Sequence, residues 1–204
     1  MTILFVRHGE TALNASRTMQ PADTPLSERG IDQARQAALR LRALKPVAIV
    51  SSDMPRALRT AQEIARETGL NPALTQLLHE RNFGDLRGHP HDAFGFDPIA
   101  MLEAPPNGES MAEFTERCRQ AFEHVVALRS RLDGTLVVVT HGLVIHTILS
   151  NWIDLGDHVV PERIANTAFS ECAANAPYAA VRVNCAAHLA DTGLAEGSRS
   201  LSGG

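Results

Sequence analysis

Two histidines in this 204-residue chain stand in equivalent surroundings: His8 in Val6-Arg7-His8-Gly9 and His141 in Val139-Thr140-His141-Gly142. Each follows a short apolar run and precedes a glycine, a residue that lets a backbone come close to a ligand. A lone histidine is more often structural than catalytic, so the neighbours decide. Arg7 precedes His8, and Arg56 follows another apolar run within the first residues of a helical pattern. Two guanidinium groups at strand ends of one sheet would suit a dianionic oxyanion such as phosphate. Thr11 and Asn14 can add neutral donors. The competing reading of Arg7 is a surface salt bridge, and the company it keeps argues against that.

The elements that must position these residues are legible from periodicity. Residues 3–6, 47–50 and 136–139 are unbroken apolar runs, the pattern of strands covered on both faces. Helical spacing fills the intervals. Ile31, Ala34, Ala38, Leu41 and Leu44 share one face, with Ser27 as N-cap and Pro46 as stop. Leu58, Ala61 and Ala65 repeat the pattern before Gly69, a longer helix is expected over 109–132, and another over 142–152. Alternating strands and helices predict an α/β fold, three layers α/β/α around a mostly parallel sheet. Ligands bind outside the carboxyl ends of such strands, and if the first and third runs are neighbours the two imidazoles face each other across one pocket. Between 82 and 108 periodicity fades, which predicts a loop-rich cover. Two late strands are expected near 168–173 and 179–183. Residues 1–191 are read as one domain and 192–204 as a mobile tail.

Composition narrows the function classes. The chain is 44% hydrophobic and 21% charged, enough for a sizeable core, and its formal charge of -4 comes without a basic cluster. That argues against a nucleic-acid surface. Three cysteines (Cys118, Cys172, Cys185) without a C-x-x-C spacing suggest small buried hydrophobes in a reducing compartment, with neither a disulfide framework nor a structural zinc. The first apolar run is too short for a signal-peptide core and no later one reaches membrane-spanning length, so a cytoplasmic protein with no membrane partner is expected.

Val6-Arg7-His8-Gly9-Glu10-Thr11 resembles the signature of the histidine phosphatase superfamily, the phosphoglycerate mutase-like proteins. The likeness continues in family order. Asp23-Thr24-Pro25-Leu26-Ser27-Glu28-Arg29-Gly30 resembles the loop into the first helix, and residues 51–61 from Ser51 to Ala61 resemble a second phosphate-binding segment. Leu78-His79-Glu80, then Phe83-Gly84 and Gly88, is similar to the acid–base segment, and Thr140-His141-Gly142 supplies the second histidine. The resemblance spans about residues 2–170 and implies a phosphoglycerate mutase-like fold.

It also implies roles. His8 would attack phosphorus as a neutral imidazole and carry the phosphoryl group, with no metal or other cofactor required. Arg7, Arg56 and His141, with Asn14 and the backbone at Gly142, would hold the phosphoryl oxygens, where fixed donors stabilise the charge of the transition state. Glu80 would protonate the leaving oxygen and later activate water, with Asp85 as the alternative acid. A neighbouring phosphate dianion would raise the pKa of Glu80 by like charge.

The chain departs from the family pattern at Leu13, where an aromatic residue is common, at Pro21 after Gln20, where glycine is common, at Arg87, where glutamate is common, and at His146. These departures touch substrate contacts, which are expected from Thr11, Gln20, Arg87 and Phe94. Phe94, Phe96, Met101 and Leu102 in the cover, with Arg87 its only arginine or lysine, predict a singly phosphorylated, partly apolar small-molecule monoester or broad specificity. His79, His89 and His91 lie close in sequence but lack metal-ligand spacing. The compact span between Glu80 and His141 resembles the phosphatase branch. A mutase is the alternative, a non-catalytic phosphate-binding protein a more distant one, and a homodimer is the default assembly.

Overall fold

The computed structural model describes residues 1–195 and turns each of the three apolar runs into a strand, buried throughout the first and third runs and at Ile49 and Val50 of the second. In chain order the elements are β1 (Thr2–Arg7), α1 (Ala12–Ala15), α2 (Glu28–Arg42), β2 (Pro46–Ser51), α3 (Pro55–Thr68) and β3 (Pro72–Leu74). After the cover come α4 (Met111–Arg129), β4 (Thr135–Thr140), α5 (Gly142–Trp152), β5 (Phe169–Ala173) and β6 (Ala180–Cys185). The strands form one sheet in the order β3-β2-β4-β1-β5-β6. The pairs among β3, β2, β4 and β1 are parallel, while β5 and β6 add antiparallel edges.

Strand alternation divides the core into two layers. Ile3, Phe5, Leu136 and Val138 point to a cluster with Phe114 and Val125 of α4 and Ile145 and Ile148 of α5. Leu4, Val6, Val137 and Val139 point the other way, onto Ala38 and Leu41 of α2 and Ala57, Ala61 and Ile64 of α3. Both faces of β1 and β4 are therefore dry, which explains why their sequences carry no polar alternation. Register pairs Arg7 with Thr140, so the residues following the two strands, His8 and His141, emerge side by side.

Helix boundaries follow local chemistry. Ser27 caps α2 by accepting a bond from the Gly30 amide at 3.0 Å, and Gly69 ends α3 at φ 73°. Ser110 and Glu113 form a capping box that starts α4 at Met111, two residues later than its apolar spacing suggests. The stop assigned to Pro46 acts differently: α2 ends at Arg42, and Pro46 opens β2. Two short elements escape sequence reading. α1 is too short to show periodicity, and β3 is a three-residue edge strand that is never fully buried. The cover contains only the 3-10 turns Gly84–Leu86 and His91–Ala93.

The start of the expected tail is attached to α2. Arg29 donates to the carbonyls of Gly193 (3.1 Å) and Ala195 (2.6 Å), and Gln33 donates to that of Leu194 (2.9 Å). The rest of that tail, 196–204, lies outside the described residues. Cys118 and Cys172 are buried, and Cys185 is partly buried. Among the described residues no helix is long and apolar enough to cross a membrane.

One backbone contact sets the loop after β1. A Cβ on Gly30 would lie 2.0 Å from the Glu10 carbonyl oxygen, and one on Gly9 would lie 2.3 Å from the Gly30 carbonyl oxygen. Gly9 thus admits the first turn of α2, and not a ligand as its place beside His8 suggests. Gly30→Ala is expected to cost about 2 kcal/mol or more, because the opposing atoms are backbone and cannot swing away. A urea midpoint equal to that of the parent protein would show that the contact is looser than this.

Candidate active site

The site gathers at the carboxyl ends of β1, β2 and β4. His8 is fully buried, and its Nδ1 lies 2.7 Å from the Gly9 carbonyl oxygen, an acceptor only. Nδ1 must therefore carry the ring proton, which leaves the lone pair on Nε2. Nε2 is buried and accepts no hydrogen bond from the protein. Burial pushes the His8 pKa well below 6.5, and the positive charges of Arg56 and Arg7 push it further. The ring is thus neutral, with a free lone pair on Nε2.

Its backbone is held from two sides. The His8 carbonyl accepts bonds from Asn166 Nδ2 (3.0 Å) and the Thr167 amide (3.2 Å). The Gly9 amide donates to Thr60 Oγ1 (3.1 Å), whose hydroxyl donates to the Arg56 carbonyl (2.8 Å). One turn of α3 consequently fixes both the His8–Gly9 loop and Arg56.

His141 precedes α5 directly, with its ring centroid 5.2 Å from that of His8 at an interplanar angle of 61°. Its Nε2 lies 2.9 Å from Ser52 Oγ, the residue after β2. Burial, then Arg56 and His8, hold its pKa well below 6.5. Arg7 is buried and donates from Nη1 to the Ile164 carbonyl at 2.5 Å. Arg56, near the start of α3, donates to the carbonyls of Pro21 and Ala22, both at 3.3 Å. Burial brings the Arg56 pKa down to about 10; Glu80 opposes the fall, and Arg87 and Arg7 add to it. Two desolvated guanidiniums beside two neutral imidazoles make a strong anion site.

Glu80 is 2% exposed, with Oε1 accepting from the Arg81 amide (3.1 Å) and Oε2 from the Leu143 amide in the first turn of α5 (3.2 Å). Its pKa is raised, and burial is the cause; the Leu143 N–H, Arg56, the Arg81 N–H and Arg7 all pull the other way. The shift is in the direction a general acid needs, and it is present before any phosphate arrives. Asp85, the other candidate acid, is exposed and accepts from Asn107 Nδ2 at 3.0 and 3.1 Å, on the cover.

The remaining expected contacts divide. Asn14 is buried, accepts the Thr11 amide at Oδ1 (3.2 Å) and closes the capping box of α1. Thr11 Oγ1 accepts the Asn14 amide (3.0 Å) and donates to Gln20 Oε1 (2.8 Å), so its hydroxyl proton is committed inside the protein rather than to a substrate. Gly142 is buried as the first residue of α5. Arg87 is half-buried on the wall of a cavity of about 500 Å³ next to Glu80, together with His79, Met54, Glu113 and Arg117. Phe94 is not on that wall; it packs edge-on against His89 and tilted against Phe96. Phe96, Met101 and Leu102 are not on it either, so the lining is more polar than the composition of the cover suggests.

Several contributors had no sequence signal. Ser52 was legible as part of a segment but not as the partner of His141, and Asn166 comes from an unremarkable stretch. His79 pairs through Nε2 with Asp53, and His91 approaches Asp97 at 3.2 Å. Among the described residues no three His, Cys, Asp or Glu side chains gather as a metal site would require.

Comparison with known proteins agrees with this geometry. Residues 3–182 match the family model of the histidine phosphatase superfamily (branch 1). Over 165 residues the chain is 32% identical to the "Probable phosphoglycerate mutase GpmB" of Erwinia tasmaniensis, covering 76% of each. A mycobacterial glucosyl-3-phosphoglycerate phosphatase, solved with VO3, superimposes with a TM-score of 0.73 at 30% identity, covering 84% of this chain and 90% of that one. YhfR of Bacillus stearothermophilus superimposes with a TM-score of 0.78 at 28% identity, covering 92% and 98%.

Proposed function

The chain belongs to the histidine phosphatase superfamily, and from that premise we propose that it hydrolyses phosphate monoesters of small molecules through a phosphohistidine on His8. The observation that carries this reading is the buried, unpartnered lone pair of His8 Nε2, set among Arg7, Arg56 and His141 at a site where burial raises the pKa of the Glu80 carboxyl. Nε2 attacks phosphorus and the P–O bond to the alcohol breaks. The Glu80 proton passes to the leaving oxygen, so the alcohol departs neutral. Glu80, now a carboxylate, takes a proton from water as that water attacks phosphorus. The P–N bond breaks, inorganic phosphate leaves, and both groups are restored. Arg7, Arg56, His141 and Asn14 hold the three non-bridging oxygens through both steps, where preorganised charge lowers the barrier most.

Hydrolysis is favoured over mutase chemistry because the cover between Asn82 and Gly108 has no helix, only two 3-10 turns, to keep water from the phosphoenzyme. The mutase reading draws on one specific observation. The Arg87 guanidinium makes no hydrogen bond or ion pair among the described residues, so it is free to hold a carboxylate such as the one a phosphoglycerate carries. With excess chelator present, inorganic phosphate release from 3-phosphoglycerate is expected to outrun its interconversion with 2-phosphoglycerate, even when primed with 2,3-bisphosphoglycerate. Faster interconversion would make the protein a mutase, and a requirement for added metal would remove the mechanism.

A further inference from the structure

We propose that Arg117 is a positioning residue for Glu80, acting with Glu109 as a latch that sets the acid and closes the neck of the cover together. The inference rests on the reading of Glu80 as general acid. Arg117, on α4, directs its whole guanidinium at two targets. Nη1 donates to the carbonyls of Leu77 (3.0 Å) and His79 (2.7 Å), and Nη2 donates to that of Glu80 (3.3 Å), so the backbone around the acid hangs from one side chain. Nε and the other Nη2 proton donate to the two carboxylate oxygens of Glu109, at 2.9 and 2.8 Å. Five N–H groups meet five acceptors, the full capacity of an arginine.

Glu109 is the far post of the cover. Its Oε2 also accepts the Asn82 amide (3.1 Å), its amide donates to the Asn82 carbonyl (2.8 Å), and its carbonyl accepts Arg81 Nε (3.1 Å). Arg81 in turn donates to the carbonyls of Ile99 (3.2 Å) and Met101 (2.7 Å) within the cover. The excursion that leaves at Asn82 and returns at Glu109 is thus pinned two residues from Glu80. A carboxyl group that must meet a leaving oxygen within hydrogen-bond distance cannot tolerate a loose backbone, and Glu80 has only two amide contacts of its own.

A misplaced acid has a signature that general destabilisation lacks. For a series of substituted phenyl phosphates, log kcat/KM reports transfer to His8 alone, and its fall with leaving-group basicity measures how much acid help is missing. The parent protein is expected to show a shallow slope and Glu80→Gln a steep one. Arg117→Gln should steepen the slope towards that of Glu80→Gln, lowering the rate for phenyl relative to p-nitrophenyl phosphate by about 10-fold. Arg117→Lys, which keeps the charge but not the fork, should fall between. If Arg117→Gln does not fold, Glu109→Gln tests the same latch from its other end and should shift the slope in the same direction. Parental slopes in the folded Arg117 or Glu109 variants, beside a steep one in Glu80→Gln, would overturn the latch. A parental slope in Glu80→Gln itself would instead remove the premise that Glu80 is the acid.

Discussion

His8→Ala is expected to lose about 10⁴-fold or more in hydrolysis of p-nitrophenyl phosphate with excess chelator, while remaining folded. The loss should exceed that of any single binding residue, because the attacking atom itself is removed. The nearest alternative, His141, engages Nε2 with Ser52 Oγ at 2.9 Å. Activity that survives in the variant would mean that water or another group attacks phosphorus directly. A second readout separates catalytic loss from unfolding. The folded pKa of His8 lies well below 6.5, so between those values the unfolded chain binds a proton that the native chain refuses. Native stability must therefore fall as pH drops below 6.5 and level off only at the folded pKa. His141 has the same sign. Deleting His8 removes one of these protons, and the acid-side slope of stability should become shallower by up to about 1.4 kcal/mol per pH unit. Urea unfolding at pH 7 and pH 5.5 measures it, and an unchanged slope would show that His8 is not buried neutral.

What the sequence could and could not carry follows from the range of each interaction. The two histidines were recognisable because strand, polar residue and glycine are contiguous, and the apolar runs that place them are read from burial alone. That they face each other depends on β4 lying between β2 and β1, a pairing across more than a hundred residues that no local pattern encodes. Glu80 looked like any acidic loop residue until compared with the family signature. What distinguishes it physically, burial against α5 and the field of Arg56, exists only after folding. Ser52, Asn166 and Arg117 act through contacts made by tertiary approach, so they left no spacing to find. Phe94 and Phe96 were legible as apolar but not as packing on each other and on His89 instead of lining the cavity. With no periodicity over 82–108, no local pattern says which residues of the cover line the cavity.

Arg56→Gln carries the second large effect, and it should act on activity and stability in opposite directions. Arg56 is a buried cation whose pKa is brought down to about 10 by desolvation, with Arg87 and Arg7 adding repulsion. Such a charge is unfavourable until an anion arrives, and glutamine can still donate an amide hydrogen to the carbonyls of Pro21 and Ala22. The variant should therefore lose about 10³-fold in kcat/KM, within the range for removing a guanidinium from a transferring phosphoryl group. Its melting temperature without ligand should not fall. Inorganic phosphate at about 100 times its dissociation constant stabilises a binding protein by about 2.7 kcal/mol, and at the same concentration the variant should show almost none of that gain. Glu80 supplies an independent check. Arg56 is one of the groups holding the raised pKa of Glu80 down, so its loss should send that pKa higher. The alkaline limb of residual kcat/KM is then expected to move to higher pH in Arg56→Gln. A destabilised variant that still gains stability from phosphate, with its alkaline limb in place, would make Arg56 a structural cation and leave Arg7 and His141 to hold the phosphoryl group.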